Sequence, residues 1–377
     1  MLTELQLELF KCFDRLILPL APLTLLSGSN ASGKSTVIQS IAILHQAMRH
    51  HEWSMHLPLN GAELQLGTLA DVIDKVNGRQ HFGIGISDDD HSCFWTFEDE
   101  RRGMSAQVTA LTVDGELFQP PDVLRFLLPP ESPAQSLAKK IRTMTYLAAE
   151  REGPRETYPL MDEHQLGVVG SRGENSVGLL FAKQDAEVLG ELVLEGAPPT
   201  LLHQVGAHMK NFFPGCSFEI RPVPQTNLLT LGLRTSDATD FHKPAHVGFG
   251  LTQVLPIVVA ALSSAPSSAL IVENPEVHLH PASQALMGGF LARVAAAGVQ
   301  VILESHSDHV LNGIRRAVKG RAIPHEHVQF HFFSDRSSSA TPVVSPAIDV
   351  EGQVSDWPDG FFDQFDKDSQ YFAGWGD

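Results

Sequence analysis

Apolar residues at Leu2, Leu5, Leu7 and Leu9 open the chain with strand-like spacing, and the unbroken apolar run Leu23–Leu26 follows soon after. A glycine- and serine-rich stretch then leads into a helical pattern from about Lys34 to Arg49. Residues 1–50 therefore predict strand, turn, strand, loop and helix. Residues 60–117 alternate short β-like runs (His81–Ile86, Cys93–Phe97, Gln107–Val113) with Asp- and Gly-rich turns, the pattern of an antiparallel sheet. Residues 120–245 are mixed, with helices predicted at Ser136–Arg142 and Pro199–Phe213 and strands at Ser217–Arg221 and Leu228–Leu233. From Gly248 the pattern is α/β: the apolar helix Val254–Leu262, strand Ala269–Glu273, helix Ser283–Ala297, strand Val299–Glu304 and helix Asp308–Val318. Strands at Val328–Phe333 and Thr341–Ile348 precede a tail rich in Trp, Phe and Asp. There is no internal repeat, low-complexity block or sustained heptad, which excludes a long coiled-coil arm.

Composition narrows the class. The 377 residues are 43% hydrophobic and 19% charged, ample for one large or two ordinary domains with a core. No apolar stretch approaches membrane-spanning length, and the N-terminus has no signal-peptide core. Three cysteines (Cys12, Cys93, Cys216) without CxxC spacing argue against a disulfide framework or structural zinc, and for a reducing cytoplasm. A net charge of −17 gives no whole-surface attraction to nucleic acid. Two basic clusters, Arg315/Arg316/Lys319/Arg321 and Lys139/Lys140/Arg142, read either as local patches or as solvated helix faces.

Residues 28–36 read Gly-Ser-Asn-Ala-Ser-Gly-Lys-Ser-Thr between a buried strand and a helix start, the setting of a Walker A phosphate loop. Gly28, Asn30, Ala31, Ser32, Gly33, Lys34, Ser35 and Thr36 would wrap a polyphosphate with backbone N–H groups and the helix dipole. Lys34 would reach the β- and γ-phosphates and Ser35 would ligate Mg²⁺; the plainer reading is a structural glycine turn. In Ala269–Pro281 an apolar strand ends in acids, the Walker B arrangement. Glu273 would hold the Mg²⁺ shell and Glu276 would orient or deprotonate water, unless both are ordinary loop acids. His306, in Ser305-His-Ser-Asp308 after the next strand, would meet the γ-phosphate or the water. Alone, such a histidine is more often structural. His278 and His280 alternate like a metal pair but lack a third ligand, and fit a loop packing at a subunit contact. Gly248, Gly250 and Thr252, ahead of an apolar helix, form either a helix cap or a signature loop holding the γ-phosphate of ATP on a second subunit.

In this order, the phosphate loop, signature loop, Glu-Asn-Pro-Glu-x-His-Leu-His-Pro and Ser-His-Ser-Asp resemble the ABC-type ATPase heads of the SMC, RecF and OLD group. The resemblance is greatest to short AAA-type bacterial proteins without a coiled coil, found among phage-defence genes. Glu8–Phe13, Tyr146–Arg155 and Asp356–Asp363 resemble stretches of the same relatives. Glu273 stands where Asp is usual, Thr252 where Ser is common, and no clear Q-loop glutamine is present; Leu66–Asp71 falls about where that loop belongs. The resemblance implies an α/β fold: an ABC-type P-loop head, mostly parallel sheet plus an antiparallel β subdomain, with an inserted α+β lobe. The expected boundaries are 1–117, 118–245, 246–335 and a C-terminal module, 336–377. It implies ATP and Mg²⁺ as cofactors, and a homodimer sandwiching two ATP molecules.

Two functions compete most closely. One is an ATPase subunit of a bacterial antiphage complex, sensing an invader and controlling a separate effector such as a nuclease encoded nearby; the chain shows no nuclease signature of its own. The other is a RecF-like repair ATPase that binds DNA, with a strong salt dependence. A transporter engine is disfavoured by the signature and the His-Leu-His-Pro loop, and a scaffold that hardly turns over remains a fourth reading.

Overall fold

The strand Leu2–Phe10 shows how the N-terminal pattern is satisfied. Leu2, Leu5 and Leu7 are buried, but Leu9 adopts a left-handed φ of 55° and drops out of the pairing that joins Glu8 to Arg15 and Phe10 to Phe13. This turn breaks the alternation without shifting the register, and Phe10 is buried in place of Leu9. The structure is a computed structural model describing all residues except 74–79, 99–102, 120–122, 163–166, 237, 335–342, 356 and 374–377. It divides into two units.

The first unit comprises Met1–Ala21, Ser35–Tyr146 and Pro266–Ile271. It holds a seven-stranded sheet in the order Phe13–Pro19, Leu2–Phe10, His81–Asp88, Ser92–Glu98, Ser105–Val113, His56–Pro58, with Glu116–Phe118 beside Ser105–Val113. Its pairings are antiparallel, as the alternating pattern predicts. Phe82 sits 5.4 Å from Phe10 and 5.0 Å from Phe97, ring centre to ring centre. The Phe94 ring lies so close to the neighbouring strand that a Cβ on Gly83 would meet it at 2.4 Å. In helix Gln135–Thr143, Lys140 is tied to Asp88 at 2.6 Å and Arg142 stacks 4.1 Å over Phe126. Two of the three cations in that basic cluster are thus engaged within the fold.

The second unit comprises Pro22–Lys34, Leu147–Ala265 and Val272–Asp377. Its main sheet runs Val343–Val344, Val328–Phe333, Leu23–Gly28, Gln300–Glu304 and the end of Ala269–Glu273. Leu23–Gly28 pairs in parallel with strands on both sides, Gln300–Glu304 and Val328–Phe333. Consecutive buried residues along these strands mean that both faces are covered, the reason they read as unbroken apolar runs. A small antiparallel sheet joins Tyr158–Pro159, Leu228–Arg234 and Ser217–Pro222. Helices Pro281–Ala296 and Asp308–Lys319 cross with backbones in contact, since a Cβ on Gly313 would lie 2.1 Å from the Ala285 carbonyl oxygen.

Three boundaries differ from expectation. The apolar helix starts at Phe249 rather than Val254, so most of the glycine-bearing stretch is already helical. Helix Pro281–Ala296 starts at Pro281 rather than Ser283 because His280 caps it and Pro281 suits a first-turn position. Of the strand predicted at Thr341–Ile348, Thr341 and Pro342 lie outside the described residues. Among its described residues only Val343–Val344 pairs as a strand, with Phe333 and Phe332, and Pro346 soon removes a ladder donor.

Candidate nucleotide site

The sheet order sets the strand ends Gly28, Glu304 and Glu273 side by side. Gly28 cannot be replaced: its φ is +138°, and a Cβ would lie 2.1 Å from the Phe333 carbonyl oxygen. Ala31 at φ 60° and Gly33 at φ 113° turn the loop back before the helix Lys34–His50 begins. Lys34 is only 3% exposed. Its ammonium donates to the carbonyls of Gly28 (3.1 Å) and Ser29 (2.6 Å) and lies 3.9 Å from Glu304. Burial lowers its pKa, and Glu304 opposes that shift. The Ser32 hydroxyl donates to the Ser29 carbonyl at 2.8 Å. Asn30 is exposed, and Ser35 and Thr36 occupy the first turn of the helix, Ser35 exposed and Thr36 buried.

The acidic turn is held from several directions. Glu273 accepts from the Ala149 N–H at 3.2 Å, and the Asn274 N–H donates to the Glu304 carbonyl at 2.9 Å. Glu276 accepts from the Ser305 hydroxyl and from the His306 N–H, each at 2.9 Å. Each carboxylate oxygen keeps a lone pair for a further donor such as water. The His306 pKa is lowered by burial and by Lys34, against the pull of Glu276, which favours a neutral imidazole at pH 7. The second unit thus gathers Lys34, Glu273, Glu276 and His306 around one set of strand ends.

Two residues without a role in the sequence reading belong to this group. Arg151, 6% exposed, donates to the carbonyls of Ala148 (3.2 Å), Glu273 (2.7 Å) and Asn274 (2.7 Å). Burial pulls its pKa down to about 10, while Glu276 and Glu273 favour its charge. Glu304 stands beside Lys34. Its signal was an apolar strand ending in an acid, just as Ala269–Glu273 does; Arg151 had none beyond the stretch Tyr146–Arg155.

The glycine stretch before helix Phe249–Leu262 divides in two. Thr252 is buried and donates to its own helix at the Phe249 carbonyl (2.9 Å), and Gly250 is crowded by His278 and Phe213. Gly248 has open space around its Cα, and Phe249 is 54% exposed. His280 caps a helix and the His278 ring lies 5.7 Å from Phe249. Among the described residues no group of three or more His, Cys, Asp or Glu is disposed to hold a metal ion by itself. The site nevertheless fits a magnesium triphosphate: Mg²⁺ keeps most of its waters and needs one or two carboxylates. Asn274 Oδ1, buried without a partner, is an acceptor suited to such a water. In the other basic cluster, Arg315 donates to the Gly352 carbonyl and Lys319 lies 3.5 Å from Glu351.

Residues 152–312 match a family model described as "AAA domain, putative AbiEii toxin, Type IV TA system". Residues 323–370 match one described as "Protein of unknown function (DUF3696)". No curated protein matches the chain. Among solved structures, an SMC head bound to the C-winged helix domain of ScpA is similar at 13% identity and a TM-score of 0.57, covering 92% of this chain and 98% of that one. An SMC head with an extended coiled coil, bound to the C-terminal domain of ScpA and derived from Pyrococcus furiosus, is similar at 13% identity and a TM-score of 0.52, covering 92% and 96%. The α/β fold is therefore that of an SMC head. Among the described residues no helix is long and apolar enough to cross a membrane.

Proposed function

We propose that the chain binds and hydrolyses ATP, closes as a homodimer around it, and serves as the sensor or regulatory subunit of a bacterial antiphage complex that controls a separate effector. The observation that carries the ATPase reading is the convergence of Lys34, Glu273, Glu276 and His306 at adjoining strand ends. Loop amides from Gly28 to Gly33 would bind the phosphates, and Lys34 would exchange its carbonyl partners for β- and γ-phosphate oxygens. Ser35 and Glu273 would hold Mg²⁺, which screens phosphate charge and orients the leaving group. Glu276 would take the proton of the attacking water, with His306 donating to the γ-phosphate. Gly248 and Phe249, exposed at the start of their helix, would be the signature residues a second copy could reach. The defence role rests on the family description, which names a toxin of a toxin–antitoxin system.

The test is direct. Glu276→Gln should bind ATP yet hydrolyse it at least ~100-fold more slowly, the scale for losing a positioned base. Lys34→Ala should lose binding by calorimetry. Unchanged turnover in the first variant removes Glu276 from the chemistry, and retained binding in the second removes the phosphate loop.

A further inference from the structure

The C-terminal segment returns to the phosphate loop. Phe361 is fully buried and packs edge-on against Phe332 (5.5 Å) and Trp357 (4.9 Å). Arg315 stacks 5.5 Å over Trp357, a further contact that holds the segment. Beyond this aromatic anchor the segment turns polar. A cavity of about 410 Å³ is lined by Gly28, Ser29 and His306 together with Asp359, Asp363 and Lys367. Lys367, on the helix Gln364–Phe372, is held by Asp359 at 2.6 Å and by Asp363 at 2.9 Å.

We propose that Asp359, Asp363 and Lys367 form a charge reader for the γ-phosphate, a second wall of the nucleotide site that distinguishes ATP from ADP. The inference rests on the ATP site proposed above and adds to it what the C-terminal segment does. The cavity opens on the first residues of the phosphate loop and on His306, the end at which hydrolysis would occur. A γ-phosphate there attracts one ammonium and repels two carboxylates, so Lys367 moves from the aspartates to the phosphate and the aspartates become the opposing element. Loss of the γ-phosphate returns Lys367 to Asp359 and Asp363. Tyr371 and Phe372, exposed at the end of the same helix, carry that exchange to the surface.

The test measures Mg-ATP and Mg-ADP binding to the full chain by calorimetry, for the unmodified protein, Lys367→Glu and the double variant Asp359→Asn/Asp363→Asn. Lys367→Glu should weaken ATP at least ~10-fold and ADP less than about twofold, the scale of a lost charge-assisted hydrogen bond. The double variant should shift ATP affinity in the opposite direction, a result that damage to the fold does not produce. Equal effects on both nucleotides, no effect on either, or weaker ATP binding in both variants overturns the charge reader while leaving the ATP site standing. An unmodified protein that binds neither nucleotide overturns both.

Discussion

Arg151 holds the acidic turn in place by grasping three carbonyl groups with one rigid guanidinium. A lysine carries its three donors on one nitrogen and does not reproduce the two separate nitrogens, Nη1 and Nη2, that reach these carbonyls. Arg151→Lys should therefore lower ATP turnover at least ~10-fold with ATP binding little changed, because the turn that aims Glu273 and Glu276 loosens while the phosphate loop stays intact. Separate kcat and binding measurements check this; a parallel loss of both would make Arg151 a residue of general stability instead. The contrast between Arg151 and Lys34 also explains what could be read in advance. Lys34, Glu276 and His306 stand in local patterns whose spacing follows from strand–loop–helix geometry. Arg151 serves the backbone carbonyls of Glu273 and Asn274, remote in the chain, and every residue type offers a donor the same backbone carbonyl. No spacing encodes that contact.

At the scale of elements, the helices Pro281–Ala296 and Asp308–Lys319 depend on two missing side chains. Gly313 faces the Ala285 carbonyl and Gly288 faces the Val310 carbonyl, each with 2.1 Å left for a Cβ. Gly313→Val should destabilise the fold by about 3 kcal/mol, at the upper end of overpacking costs. A urea midpoint unchanged from that of the unmodified protein would refute the close crossing. Parallel strands were legible because burial on both faces leaves unbroken apolar runs, and antiparallel strands because alternation does. Errors fell where one residue breaks periodicity: Leu9 at its left-handed φ, Gly248 capping a helix earlier than its apolar run begins, and Pro346 limiting a strand. Those choices are made by pairing partners elsewhere in the chain.

For the whole molecule, charge decides how two copies can meet. Each carries −17, so association works against long-range repulsion that salt screens. On the proposed reading, Glu276→Gln should dimerise only with ATP, and more readily at ~0.15 M than at ~0.01 M salt, where the Debye length grows about fourfold. Sedimentation measures this. A complex with DNA would show the opposite salt trend, weakening as salt rises, so one titration separates the two partners. The parallel pairing around Leu23–Gly28 has a last consequence, in biosynthesis. Both neighbours of this early strand are made late, the nearer ending at Glu304 and the farther at Phe333. A nascent chain emerging from the ribosome thus carries its phosphate loop long before the strands that shape it. On the proposed reading, the newborn head stays blind to nucleotide until the chain has been made through Phe333, and a product terminated before Glu304 should not compete for ATP.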